Sequence, residues 1–402
     1  MNKQRIYSLF FKLLLGIILL NLNGLLYLFF SSTGLISPLI LLLSVYIITN
    51  SKNKTFSKLF NIYFLYVLIY LSTGLISLII SLQVGDNTLS TIADVIKTLI
   101  LLSAIYLGYK QELQNSNAIL RFTCWLIITS VVLSFGLDYI NIAAIQDNYR
   151  TEMRMSGFFA NPNELAAQAL FAILSIQFLY KQYKSKQYKL ILLIAFLICT
   201  YSMFMAFSRS IFLAFFVLLF LQLFVYKGIS LKSTFFVIFS IILLSISLPI
   251  LYENVNTSLQ KRIDTSLQIF DVGLSDRTTG GRLNLINEAF VYINENPFLG
   301  IGIGNMQRIE GVGGVHNAYL AVWGNAGFFV LLYFLFFLVI LLKKLHKYSI
   351  DNRNTFILFL ILTICINGLS KAGVFEFKIN NLIMALSFAL LAKNELIRMP
   401  NS

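Results

Sequence analysis

Of 402 residues, 58% are hydrophobic and only 12% charged, and a mean hydropathy of +0.79 excludes a water-soluble domain of this length. The formal charge of +14 follows membrane topology rather than a basic patch, which excludes nucleic acid as the expected partner. The three cysteines, Cys124, Cys199 and Cys365, are an odd number inside apolar runs without ligand spacing, so neither a disulfide framework nor a zinc site is expected.

A bilayer core needs roughly 20 apolar residues per helix, and such runs recur along the chain. They predict about twelve spans, near 10–30, 35–49, 59–82, 91–108, 119–137, 162–180, 190–207, 211–226, 233–250, 316–342, 355–370 and 380–393. The first run is long and no small-residue cleavage site follows it, so it reads as a span rather than a signal peptide. Basic residues are retained in the cytoplasm, and with both termini inside, "KQYKSKQYK" (181–189) and "KKLHKYSIDNR" (343–353) fall inside. The expected organisation is therefore 1–251 with nine spans, 252–315 as one large extracytoplasmic loop, and 316–402 with three more.

On this map the cytoplasmic bases are 16 Lys and 4 Arg, whereas the outer ones are 3 Lys and 7 Arg: Arg150, Arg154, Arg209, Arg262, Arg277, Arg282 and Arg308. Lysine suffices for topology, but arginine presents a planar fork that binds phosphate bidentately. The outer face is expected to hold an anion.

Four outer features carry candidate chemistry. In "RMSGFFANPNELA", Asn161, Pro162 and Glu164 fall on N-cap, N1 and N3 of the sixth span, a capping box that leaves Arg154 as the functional candidate. In "FSRS", Ser208 caps the next span and Arg209 stands in its first turn, where the helix dipole disfavours a cation unless an anion compensates. In "TGGRL", Arg282 opens an amphipathic helix carrying Leu283, Ile286, Phe290 and Ile293 and ending at Asn296-Pro297, expected to lie on the outer membrane surface. The glycines of "GIGIGN" and "GVGG" then read as a flexible approach to "HNAY". His316 is the one outer histidine and the natural general base, whereas His346 lies among cytoplasmic lysines. Asp94 and Lys97, three apart in the fourth span, read as a structural pair.

The ordered set "RMSGFFANPNEL", the short "SR" turn, "GGRL", "NPFLGIGIGN" and "HNAYLAVWGNAG" resembles the O-antigen ligase and polymerase superfamily of bacterial surface-polysaccharide assembly, over about residues 150 to 345. The resemblance implies an all-α, GT-C type glycosyltransferase of the bacterial cytoplasmic membrane, working on its outer face with a polyprenyl-diphosphate-linked oligosaccharide donor. It implies that Arg209 and Arg282 contact the diphosphate and that His316 is the base. Arg150, Arg154, Arg277 and Asn317 are the expected further substrate-binding residues. A single histidine as "GVHNAY", where many ligases carry two, favours a polymerase of O-antigen, capsule or exopolysaccharide over a ligase acting on lipid A core. A chain-length regulator is a conceivable partner. No cofactor is expected, and no acidic cluster calls for a metal. A lipid-linked oligosaccharide flippase is the rival of another class, but transporters usually show repeated halves, which this chain lacks.

Overall fold

The computed structural model describes residues 3–30, 36–81, 88–115, 117–139, 154–159, 161–224, 281–307, 315–349, 351–371 and 378–398, with a few isolated positions between 260 and 275. The expected ninth span, most of the large loop, Arg150 and Arg277 lie outside the described residues. Among those residues every regular element is helical: α1 Lys3–Leu19, α2 Leu22–Phe30, α3 Ile36–Asn50, α4 Lys58–Ser81, α5 Thr88–Asn115, α6 Ala118–Tyr139, α7 Pro162–Gln182, α8 Lys186–Ala206, α9 Arg209–Phe224, α10 Arg282–Glu295, α11 Ala318–Ala326, α12 Phe328–Lys347, α13 Asn352–Gly368 and α14 Lys378–Arg398. Five of these, α4, α5, α6, α8 and α12, are long and apolar enough to cross a membrane over most of their length, and α1 with α2 makes a sixth if the bent pair is one span. The shorter apolar helices α3, α9 and α13 accompany them.

Burial sorts the helices into inner and outer. Helix α7 buries residues around nearly its whole circumference, Leu165, Ala166, Ala169, Leu170 and Ile173 among them, and packs between α6 and α8. Helix α14 runs along α5 and is buried almost continuously from Asn380 to Leu391. A helix apolar on every side belongs inside a bundle, and these two need no lipid-facing stripe. Outer helices keep one: Ile79 on α4 is 70% exposed and Phe329 on α12 is 65% exposed.

Two expected spans are broken. The run 10–30 bends by 63° between α1 and α2, at Asn21, whose φ of 48° is left-handed. Its Nδ2 donates to the Phe158 carbonyl at 3.2 Å, and a Cβ on Gly24 would meet that same oxygen at 1.9 Å, so the bend exists to let the 158 backbone in. The run 316–342 is cut at Gly327, φ 89°, into α11 and α12. There the Phe298 carbonyl sits 1.9 Å from where a Cβ would be, and Phe328 N–H donates to the Pro297 carbonyl at 3.0 Å. Hydropathy sees only the apolar sum of such runs; the intruding backbone decides where they break.

Polar contacts divide the bundle into two ends. At one, Lys181 donates to Asn352 (3.1 Å), Arg353 to Asn117 (2.9 Å), and Lys344 pairs with Glu395 (2.6 Å), joining the loops read above as cytoplasmic. At the other meet the α1–α2 bend, residues 154–159 and 161, the 206–208 turn, 315–317 and 368–371. The Asp94–Lys97 pair forms at 3.0 Å with both side chains mostly exposed, as an i,i+3 surface contact should be.

Candidate active site

The second end is built from helix termini. Asn161 is the N-cap of α7, its Oδ1 accepting from Glu164 N–H at 3.1 Å, with Pro162 at N1, as the sequence requires. The reciprocal half of the box differs: the Glu164 carboxylate accepts from Asn161 Nδ2 at 3.1 Å and from Lys371 Nζ at 2.9 Å. Lys371 and Glu164 are 19% and 22% exposed, a largely enclosed ion pair tying the turn after α13 to the start of α7.

Helices α8 and α9 are joined by Phe207 and Ser208 alone. Phe207 adopts the left-handed conformation (φ 39°), disfavoured for a side chain with a Cβ, and its ring packs on Phe212 at 5.7 Å. The Ser208 carbonyl opens α9 by accepting from Ile211 N–H (3.1 Å) and Phe212 N–H (2.9 Å), which leaves Arg209 in the first turn as expected. Ser210 Oγ donates to Asn367 Oδ1 at 3.3 Å, fastening this turn to α13.

Arg154, expected on substrate, is committed to protein. Its Nε donates to the Ala206 carbonyl at 2.9 Å, and its Nη2 to the Phe207 carbonyl at 2.7 Å and to Asn163 Oδ1 at 3.2 Å. It satisfies the orphan carbonyls at the C-terminus of α8. Asn317 is likewise occupied. As N-cap of α11 its Oδ1 accepts from Tyr319 N–H (2.9 Å) and Leu320 N–H (3.1 Å), and its Nδ2 donates to the Leu369 carbonyl at 3.3 Å.

Of the glycine-rich stretch before His316, "GIGIGN" is packed against protein rather than an open, flexible approach, and "GVGG" lies outside the described residues. Gly300, Gly302 and Gly304 all have positive φ. A Cβ on Gly300 would lie 2.5 Å from the Gly324 carbonyl, and Ile301 N–H donates to that carbonyl at 2.6 Å. The Asn325 side chain bridges Met306 N–H (3.0 Å) and the Tyr70 hydroxyl (3.1 Å), and Trp323 Nε1 reaches the Pro297 carbonyl at 2.9 Å. Here glycine permits backbone to lie directly on backbone. The helix α10 is bounded as the sequence predicts, but its buried residues Ala289 and Ile293 pack with Ile301, Met306, Val315 and Ala321 in a small second core. It is docked on protein through that face, and Phe290 edges Trp323 at 6.1 Å.

These supports deliver His316 to the residue before the α11 cap. The imidazole is exposed to solvent, yet the protein around it is close enough to desolvate it partly. Burial, then the charge of Arg282, then that of Lys371 lowers its pKa from the ordinary histidine value, so the ring is neutral at pH 7 and able to accept a proton. Arg282 comes from the first residue of α10, behind Gly281 in a left-handed conformation. The ammonium of Lys371 is itself pushed below the usual lysine value by burial, which outweighs the opposing pull of Glu164. In the sequence Lys371 reads only as one of three outer lysines, with no motif around it. Among the described residues no group of three His, Cys, Asp or Glu side chains is placed to hold a metal ion.

One comparison with known proteins bears on the family. Residues 194–335 match the O-antigen ligase family. The match supports the O-antigen ligase and polymerase superfamily for this chain and indicates a membrane enzyme of the glycosyl-transferring kind. It spans Arg209, Arg282 and His316, and leaves Arg154, Glu164 and Lys371 outside. The comparison with curated proteins gave no match.

Proposed function

We propose that the chain is a membrane glycosyltransferase that polymerises polyprenyl-diphosphate-linked oligosaccharide repeat units on the outer face of the bacterial cytoplasmic membrane, without a cofactor or metal. The observation that carries this reading is the neutral, solvent-reached His316 in the field of Arg282 and Lys371, inside a stretch matching the O-antigen ligase family. His316 takes the proton of an acceptor hydroxyl as the hydroxyl oxygen attacks the anomeric carbon of the donor. The bond from that carbon to the diphosphate breaks, and the leaving diphosphate keeps the electron pair. Arg282 and Arg209 stabilise the charge that develops there. The neighbouring cations disfavour a lasting imidazolium, so the proton passes on to solvent, to which the ring is open.

The description of the matched family favours one second reading, a ligase that transfers glycan to lipid A core. A purified protein given a defined polyprenyl-diphosphate repeat unit should build a ladder of products, and a host lacking lipid A should still make polymer. His316→Ala should slow the ladder by roughly 10²–10⁴, the usual worth of general-base catalysis, while His346→Ala should not. A folded His316→Ala variant within about twofold of wild type would remove the histidine from the mechanism.

A further inference from the structure

A cavity of about 300 Å³ lies at the same end of the bundle, beneath the residues just described. Its wall includes Asn367, which accepts from Ser210 beside Arg209, and Lys371, which acts on His316, so its wall residues also contact or act on the "SR" turn and the "HN" motif. Six carboxamides line it: Asn21, Asn23, Asn163, Gln168, Asn367 and Asn380. A carboxamide offers two donors and an acceptor side by side, the complement of a vicinal pair of hydroxyls, and Asn21, Asn163, Gln168 and Asn367 each spend part of that capacity on protein. Asn23 Oδ1 is buried and has no hydrogen-bond partner among the described residues, a loss of stability that a hydroxyl donor would repair. Phe159 and Phe171 give the cavity an apolar wall as well.

The lining does not suit a phosphate. No arginine borders the cavity among the described residues, Lys371 is held by Glu164 at 2.9 Å, and the Asp94 carboxylate acts on Lys378. The guanidinium forks that bind phosphate bidentately stand outside it, and both lysines of the wall face carboxylates. The size sits at the lower limit of small-molecule pockets, enough for one sugar residue and not for a chain.

Resting on the glycosyltransferase reading, we infer that this carboxamide-lined cavity is a saccharide subsite that seats the terminal sugar of the acceptor, with Asn23 as a hydroxyl-binding residue. The sugar docks beside the Lys371–Glu164 pair with its reacting hydroxyl directed toward His316, while the donor diphosphate stays with the arginines. Acceptor and donor are thus recognised by different chemistry on adjoining surfaces.

The test uses the full chain in lipid nanodiscs and a fluorescent, lipid-free repeat-unit oligosaccharide, released by mild acid from the lipid-linked pool of the cell that makes the protein. Fluorescence polarisation should show binding that inorganic diphosphate does not displace. Asn23→Leu should weaken it about tenfold or more, as expected for a lost buried hydrogen bond. Ile40→Trp, which puts an indole into the cavity from α3 and replaces no amide, should weaken it as well. Displacement by diphosphate, absence of binding to the wild type, or wild-type affinity in either variant would overturn the subsite. Binding that behaves as expected in a protein that builds no ladder from lipid-linked units would instead defeat the polymerase reading and leave the subsite standing.

Discussion

The Lys371–Glu164 pair joins the electrostatics of His316 to the wall of the cavity, and its strength can be worked out. At 2.9 Å two unit charges attract by about 6 kcal/mol at an effective dielectric of about 20. Desolvation consumes most of that gain, consistent with burial outweighing Glu164 at the lysine. Breaking a fully buried pair costs about 3–5 kcal/mol and an exposed one about 0.2–1 kcal/mol. With the side chains 19% and 22% exposed, about 2 kcal/mol is the expected coupling. Glu164→Gln keeps the shape and leaves the Asn161 Oδ1 cap intact, but it strands the ammonium and removes a carboxylate from the first turn of α7. Lys371→Met removes the partner. A double-mutant cycle on denaturation of the purified protein in detergent cancels the helix-dipole contribution and isolates the pair. The double variant should be more stable than the two single losses added together, by about 2 kcal/mol. Additive losses, with a coupling under about 0.5 kcal/mol, would mean that the pair is no more than a solvated surface contact.

The same lysine sets a pH dependence. The reaction needs neutral His316, whose pKa is lowered by burial and by Arg282 and Lys371, so activity should persist below the pH at which an ordinary imidazole becomes protonated. Lys371→Met removes one of those cations and should move the acid limb of the pH–rate profile upward; an unmoved limb would detach Lys371 from the base. Arg209→Lys and Arg282→Lys keep the charge and lose the fork, so product formation should fall in each, by up to about 10²–10³. Wild-type ladders from both would show that the guanidinium geometry is not used. Reporter fusions at Lys186 and Asp271 should report opposite sides of the membrane, and a shared side would overturn the topology.

Local rules carried well from sequence to structure, and long-range ones did not. Asn161-Pro162 starting α7, Ser208 before α9 and Arg282 to Glu295 as a helix all depend on residues within a turn of one another, and all stand where the spacing puts them. The breaks at Asn21 and Gly327 depend on the carbonyls of Phe158 and Phe298, which no window over 10–30 or 316–342 contains. In hindsight the local mark was there, as "NLNG" and "GNAG" interrupt otherwise apolar runs. The glycines of "GIGIGN" were legible as glycines, but whether a glycine confers freedom or close contact is decided by what lies against it, here Gly324 and Leu78. Lys371 had no local mark, because its meaning comes from Glu164 on α7 and His316 before α11.

The position of Arg154 bears on the charge balance of this face. Helices α7, α9, α10 and α11 begin at this end, each presenting amide N–H groups and the positive pole of its dipole, whereas α8 ends there with bare carbonyls. Arg154 covers the carbonyls of Ala206 and Phe207, removing the negative pole of α8 from beside Arg209. On the proposed function, Arg154 held on protein would strengthen the field of Arg209 and Arg282, and its loss should weaken the handling of an anionic donor although Arg154 itself is bonded to protein and not to the donor. Composition alone does not separate an arginine that caps a helix, as Arg154 does, from those that the proposed function assigns to the donor, Arg209 and Arg282.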